Sequence, residues 1–349
     1  MRECKALLAV LALTLAAGCA AGSPPVFKGG GQPTIGGEGG GGGAGGGGGG
    51  SGACAYEMPC PDGALFCAED TLAVCQYQPS GIAVDATNIY WANWDESTGM
   101  LMKMPLLGGT PTTLASGLSV GPNIAVDATN VYWTDDGYFD GMVRKVPIAG
   151  GSPTILADGL MFPSGIAVDA TSVYWANGNG GTVMKVSIDG GVPVVLVSGE
   201  SNPVDIVIDA SNIYWTNHSG VRMAPIAGGA PVTLASDQQD PRGIAVDANN
   251  VYWTNLNPPN STVMKVPIAG GAPVMLASGQ GSTERIVVDA TDVYWTIYEY
   301  PIGAVMKVPI AGGIPVTVAS VISPEGLAVN ATSLYTTNTA VGVVGRITK

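Results

Sequence analysis

Ile82-Ala83-Val84-Asp85-Ala86-Thr87-Asn88-Ile89-Tyr90-Trp91 is the first statement of a phrase that returns around Asp127, Asp169, Asp209, Asp247, Asp289 and, in weaker form, Asn330. Successive intervals are 42, 42, 40, 38, 42 and 41 residues. A second phrase, as in Val263-Met264-Lys265-Val266-Pro267-Ile268-Ala269-Gly270-Gly271, follows each of the first six. A period of about 40 residues with four short strand-like runs per copy is the signature of a β-propeller, one copy per blade. A blade cannot bury both faces of its sheet alone, so the copies must pack side by side in a ring. Seven copies predict an all-β, seven-bladed propeller of four-stranded antiparallel blades; six blades are the alternative.

The third copy shows how one blade is written. Gly165-Ile166-Ala167-Val168-Asp169 reads as the inner strand A, with Ile166 and Val168 on one face and the small Ala167 on the other. Strand B, Ser172 to Ala176, puts Val173 and Trp175 opposite Tyr174. Strand C covers Val183 to Ile188, and strand D, Val194 to Val197, is rich in β-branched residues. Asp169-Ala170-Thr171-Ser172 is a tight A–B turn whose aspartate bonds its own backbone, and Gly190-Gly191 supplies positive φ between C and D. Asp85 through Asp289 are therefore expected to stabilise turns and not to form a catalytic ring.

The seventh copy ends at Lys349, just after its strand C, and lacks a strand D. Leu114 precedes Asp127 by 13 residues, Leu276 precedes Asp289 by 13, and Leu72 precedes Asp85 by the same 13. Thr71-Leu72-Ala73-Val74 is thus expected to finish the last blade from the N-terminal side, which removes an exposed sheet edge. The competing reading is a separate disulfide hairpin over Leu65 to Gln76.

Residues 1–76 divide by composition. Arg2 and Lys5 precede an apolar run from Ala6 to Ala17, so 1–18 read as a targeting segment. Such a run spans about 18 Å as helix, short of a hydrocarbon core of about 30 Å. Residues 19–53, dominated by glycine from Gly29 onward, read as a flexible tether with a root-mean-square reach of roughly 30–35 Å. Residues 54–76 carry Cys54, Cys60, Cys67 and Cys75, which in an exported chain read as two disulfides with three possible pairings. Zinc is the rival, without paired C-x-x-C spacing or a nearby histidine. Residues 77–349 are the propeller. The formal charge is −13, and the 14 Lys plus Arg form no extended patch, which argues against nucleic acid and polybasic lipid contacts.

Leu15-Ala16-Ala17-Gly18-Cys19 resembles the lipobox of bacterial lipoproteins, with Ala16 where that family prefers leucine. The resemblance implies cleavage before Cys19, lipidation of its thiol and anchoring in the cell envelope, with Ala20 permitting outer-membrane or cell-surface placement; ordinary secretion is the alternative. The pairs Tyr90-Trp91, Tyr132-Trp133, Tyr174-Trp175, Tyr214-Trp215, Tyr252-Trp253 and Tyr294-Trp295, preceded by Ile-Ala-Val-Asp, resemble the YWTD repeats of the low-density-lipoprotein-receptor family. They are also similar to NHL and gluconolactonase-type propellers. Asp135 is the only acid at the fourth motif position; Asn93, Asn177, Asn217, Asn255, Ile297 and Asn338 replace it. Receptor propellers of that type have six blades, so the resemblance, covering about residue 71 to 349, carries the fold and neither a blade number nor a ligand.

Propeller geometry assigns A–B and C–D turns to one rim, and D–A and B–C loops to the other. The first set recurs almost unchanged, as Asp-Ala-Thr-Asn and Ala-Gly-Gly, whereas the second diverges, and divergent loops on a rigid scaffold carry recognition. Three B–C loops put aromatics beside acids: Trp94, Asp95 and Glu96; Asp136, Tyr138, Phe139 and Asp140; Tyr298, Glu299 and Tyr300. Such groups suit protein contacts or sugar stacking. A second set stands where strand A begins, at the channel mouth. Gly81, Gly165, Gly243 and Gly326 give way there to Asn123, Asp205 and Arg285 in other copies, with Arg242, Glu284 and Glu325 one residue earlier.

Broken symmetry of this kind is what a single central site requires. Gluconolactonase-type propellers bind a divalent metal at such a mouth, and oxygen ligands would suit calcium. No ligand spacing repeats across the blades, so no resident metal or cofactor is expected. Asp135-Asp136-Gly137 with Asp140 lacks the acid that ends an EF-hand loop. His218 is the only histidine, which leaves triad chemistry without its usual partners. The expectation is a monomeric, lipid-anchored extracytoplasmic binding scaffold that engages a protein or glycan through its variable loop face. The alternative is an enzyme of the metal-dependent lactonase or lyase type at the channel mouth; a surface spacer is a third possibility.

Overall fold

Adjacent tyrosine and tryptophan on a strand point to opposite faces, so a blade built on that pair has to be covered on both sides. The computed structural model describes residues 70–94, 99–117, 123–135, 140–299 and 302–349, and their strands form seven four-stranded antiparallel sheets. In the third blade strands A to D are Pro163–Val168, Ser172–Asn177, Thr182–Ser187 and Val194–Ser198. Ile166 lies opposite Trp175, and Tyr174 opposite Lys185. Strand A begins ahead of the expected Gly165 because a bulge between Pro163 and Ile166 lets pairing resume at Pro163.

The core lies between blades. Tyr90 of the first blade shares an apolar layer with Val131 and Trp133 of the second. The same join is made by Tyr132 with Trp175, Tyr174 with Trp215, Tyr214 with Trp253 and Tyr252 with Trp295. Tyr294 meets Leu327 and Leu334 instead, because the seventh blade has Thr336 where the others have tryptophan. Tyr335 then packs with Trp91 and completes the circle. All six of these tryptophans are fully buried.

Seven blades and the closing strand are both present. Asp70–Ala73 pairs with Val343–Thr348, placing Thr71 opposite Gly345 and Ala73 opposite Val344. This replaces the reading of a separate hairpin there. Cys75 is exposed with φ 57°. Cys19, Cys54, Cys60 and Cys67, the targeting segment and the tether lie outside the described residues. Among the described residues no helix is long and apolar enough to cross a membrane.

The repeated aspartates clasp their turns and also reach into the core layer. Asp209 Oδ1 accepts the backbone N–H groups of Ser211 and Asn212 at 2.7 Å, while Oδ2 accepts the Tyr214 hydroxyl at 2.6 Å. Asp85, Asp127, Asp169, Asp247 and Asp289 do the same. Strand C lysines stitch neighbouring blades: Lys103 Nζ donates to the Ile148 carbonyl at 2.9 Å, Lys185 to Ile226 at 3.1 Å and Lys265 to Ile310 at 2.7 Å.

Backbone bonds sort the loops into the two expected rims. C–D turns bond A–B turns, as from Ile188 N–H to the Thr171 carbonyl; B–C loops bond D–A loops, as from Gly178 to Phe162 and from Tyr298 to Ser282.

Burial alone would raise the clasp aspartates, but their hydrogen bonds from tyrosine hydroxyls and backbone N–H groups outweigh it and hold them below the usual carboxylate range. Asp289 is lowered further by Lys349. A depressed folded-state value means that this stabilisation is complete above the unfolded value of 3.8 and is lost as pH falls below it. Urea midpoints are therefore expected to drop between about pH 6 and about pH 3. A midpoint unchanged over that range would remove the clasps from the account of stability.

Candidate functional site

The third motif residue sets the channel mouth. Thr216 Oγ1 donates to the Arg242 carbonyl of the next blade at 2.8 Å, Thr254 to Glu284 at 3.0 Å, and Thr134 to Ser164 at 2.9 Å. Each threonine therefore holds the start of its neighbour's strand A in place. Sequence reasoning assigned these threonines no role, although their recurrence after Tyr-Trp was visible.

The alternation of glycine with larger residues has a packing cause. A Cβ on Gly165 would stand 2.6 Å from the Ile206 nitrogen and 2.8 Å from Asp205 Oδ1. One on Gly243 would stand 2.6 Å from the Glu284 carbonyl oxygen. Glycine in one blade makes room for a charged residue in the next.

All six mouth residues, Asn123, Asp205, Arg242, Glu284, Arg285 and Glu325, line one cavity of about 360 Å³, together with Ser164, Val204, Gly243 and Tyr298. Arg285 bridges the channel: its Nη1 donates to Asn123 Oδ1 at 2.6 Å and lies 3.9 Å from Asp205 Oδ2. Asp205 also accepts the N–H groups of Ile206 at 2.9 Å and Ile244 at 3.3 Å. Burial pushes the Asp205 carboxyl up, against the lowering pull of Arg285 and those two N–H bonds. Glu284 is also raised, by burial first, with Arg242 and Arg285 opposing and Glu325 and Asp240 adding to it. Arg242 is held by Asp240 at 2.8 Å, and the Thr339 hydroxyl donates to Glu325 at 2.5 Å.

The loop candidates divide. Tyr298, 41% exposed, stands on the cavity wall and joins the two sets that the sequence left separate. Trp94 is 42% exposed and Glu299 and Asp140 are exposed, but none of the three lines the cavity. Asp95, Glu96, Asp136, Tyr138, Phe139 and Tyr300 lie outside the described residues. Asp135 is committed elsewhere, at 2.8 Å from Arg144 and accepting Trp133 Nε1 at 3.1 Å. His218 is exposed and is not part of the cavity wall. Among the described residues no group of three or more His, Cys, Asp or Glu side chains is placed to hold a metal ion.

Fold and site together define a β-propeller with a charged axial cavity open to its variable rim. No family model matches the chain, and no curated protein matches it in sequence. Among solved structures it is similar to a catalytically inactive virginiamycin B lyase variant from Staphylococcus aureus with quinupristin, at 13% identity, TM-score 0.66, over 80% of this chain and 98% of that one. It is also similar to a streptogramin B lyase, at 12% identity, TM-score 0.64, over 79% and 95%. A chain of a nidogen/laminin complex is similar at 22% identity, TM-score 0.52, over 65% and 90%. Likeness at these identities shows a common fold and nothing finer.

Proposed function

We propose that this chain is a lipid-anchored extracytoplasmic binding scaffold that engages a protein or glycan through its variable rim, with the axial cavity at the centre of the contact. One observation carries the reading. On one rim the turn residues repeat and are consumed in framework bonds, whereas on the other six symmetry-breaking polar and charged side chains and Tyr298 line a single cavity. Polar groups converging on a cavity beside an exposed ring make a recognition site.

Structural neighbours include a chain from a protein–protein complex and two lyases. In one of those lyases, replacing a single histidine by alanine gives a catalytically inactive protein. Here the one histidine stands away from the cavity, which favours binding over chemistry of that kind. The rival, a metal-dependent lactonase or lyase at the mouth, draws on the raised Asp205 and Glu284 carboxyls.

The test is affinity capture and glycan-array binding with the full chain and with a Trp94→Ala/Tyr298→Ala/Arg242→Ala variant of unchanged melting temperature. The expected result is at least tenfold weaker capture by the variant, with Cys19→Ala moving the protein out of the membrane fraction. Equal capture by both proteins overturns the binding-rim reading. Calcium that survives dialysis and is lost on Asp205→Ala turns the conclusion towards the enzyme.

A further inference from the structure

The channel-mouth cavity holds more carboxylates than its cations can match. Among the described residues Asp205, Glu284 and Glu325 line it against Arg242 and Arg285, and Asp240, beside the cavity, takes up Arg242. Each arginine is already assigned. Arg242 donates from Nε and Nη2 to Asp240 at 3.1 and 2.8 Å, and Arg285 spans from Asn123 to Asp205. Glu284 and Glu325 make no ion pair among the described residues. Glu325 spends one oxygen on the Thr339 hydroxyl, and the Glu284 carboxyl accepts no hydrogen bond among the described residues. Burial raises Glu284 first; Arg242 and Arg285 pull against it without forming an ion pair to it, and the charge of Glu325 adds to the rise.

Three ligand chemistries can be compared against that surplus. An anion is opposed by the local excess and by the overall charge of −13. A neutral polyol has to strip water from two carboxylates without neutralising either, which is costly. A cation removes the repulsion and replaces the lost water with charge-assisted bonds. The cavity wall also holds apolar surface, Val204, and an aromatic ring, Tyr298, whose face attracts cations.

About 360 Å³ is at the small end for ligand pockets, enough for the head of a side chain and not for a folded segment. An ammonium on a flexible four-carbon stem, with three rotatable donors, fits two separate carboxylates better than a planar guanidinium fork, which demands one bidentate acid. We propose that the cavity receives the ammonium group of a lysine from a protein partner, seated between Glu284 and Glu325 with its stem along Val204 and Tyr298. This rests on the variable rim being the binding face and names the group that enters it.

Calorimetric titration of the full chain carrying Cys19→Ala tests the assignment, with a tri-lysine peptide, its Nε-acetylated counterpart and glucosamine as probes. Tri-lysine is expected to bind. The acetylated peptide is expected to bind at least tenfold more weakly, as is tri-lysine to Glu284→Gln/Glu325→Gln. Should that double variant fail to fold, Glu325→Gln alone, which keeps the Thr339 bond, is expected to weaken tri-lysine severalfold. Equal binding of the acetylated peptide, or indifference to the glutamine substitutions, overturns the assignment. Glucosamine binding as tightly as the peptide makes the source an amino sugar and overturns the lysine partner. If Glu284→Gln/Glu325→Gln still captures the partner that Trp94→Ala/Tyr298→Ala/Arg242→Ala loses, the rim binds and only the ammonium assignment falls.

Discussion

A chain that begins at Tyr77 is expected to melt at least about 3 kcal/mol less stably than the full protein, over a broadened transition, and to self-associate. Removing Asp70–Ala73 leaves the seventh blade with three strands and exposes Val343–Thr348 as an unpaired edge, a template for pairing with another chain. It also takes away Ala73 and so uncovers part of the layer of Trp91, Met104 and Val344 against which that residue packs. Gln76 goes with the same deletion. Its Oε1 accepts Trp91 Nε1 and Asn93 Nδ2, both at 3.0 Å, and each buried donor left unsatisfied costs about 1–3 kcal/mol. Scanning calorimetry and size-exclusion chromatography read both effects. Thr71→Pro, which blocks the ladder opposite Gly345 without shortening the chain, should move both readings in the same direction. An unchanged melting profile and a single monomeric peak would show that the ring does not depend on its borrowed strand.

The second large effect concerns a buried charge pair with a neutral counterpart one blade away. In the fourth blade Glu200 Oε2 accepts Trp215 Nε1 and Asn217 Nδ2, each at 2.9 Å, and Oε1 lies 3.5 Å from Arg222. In the fifth blade Gln238 accepts Trp253 and Asn255 in the same way, both at 3.0 Å, and Met264 stands across from the tryptophan where the fourth blade has Arg222. Arg222→Met alone strands the Glu200 carboxylate, whose side chain is only 2% exposed, and should cost about 3 kcal/mol. Adding Glu200→Gln rebuilds the fifth-blade arrangement and should recover most of that loss. Denaturant melts of the four proteins in this cycle measure the coupling directly. If both single variants melt like wild type, the pair is ornamental.

The same logic explains the one acid at the fourth motif position. Arg144 occupies the methionine position of the second blade, opposite Trp133, and Asp135 answers it at 2.8 Å. In the first, third and fifth blades strand C carries Met102, Met184 and Met264 and the fourth motif position is asparagine; the sixth, with Met306, has the equally uncharged Ile297. The departure from asparagine at Asp135 was legible in the sequence; its reason was not, because the answering arginine lies on the next strand across a loop that sets the register.

Blade count, strand order, the aspartate turns and the closing strand follow from the chain's own periodicity, because each depends on contacts within one repeat or on a spacing that the other repeats calibrate. Position at the channel mouth was readable too, as a break in that periodicity at Asn123, Asp205 and Arg285. What those breaks do to one another belongs to the tertiary structure alone. Arg285 reaches Asn123 across 162 residues of chain, Tyr298 brings its loop to the cavity wall, and Glu284 comes under the opposed fields of Arg242, Arg285 and Glu325. Residues on different blades meet at the axis only after the ring has closed, and no local pattern records which of them will face each other across it.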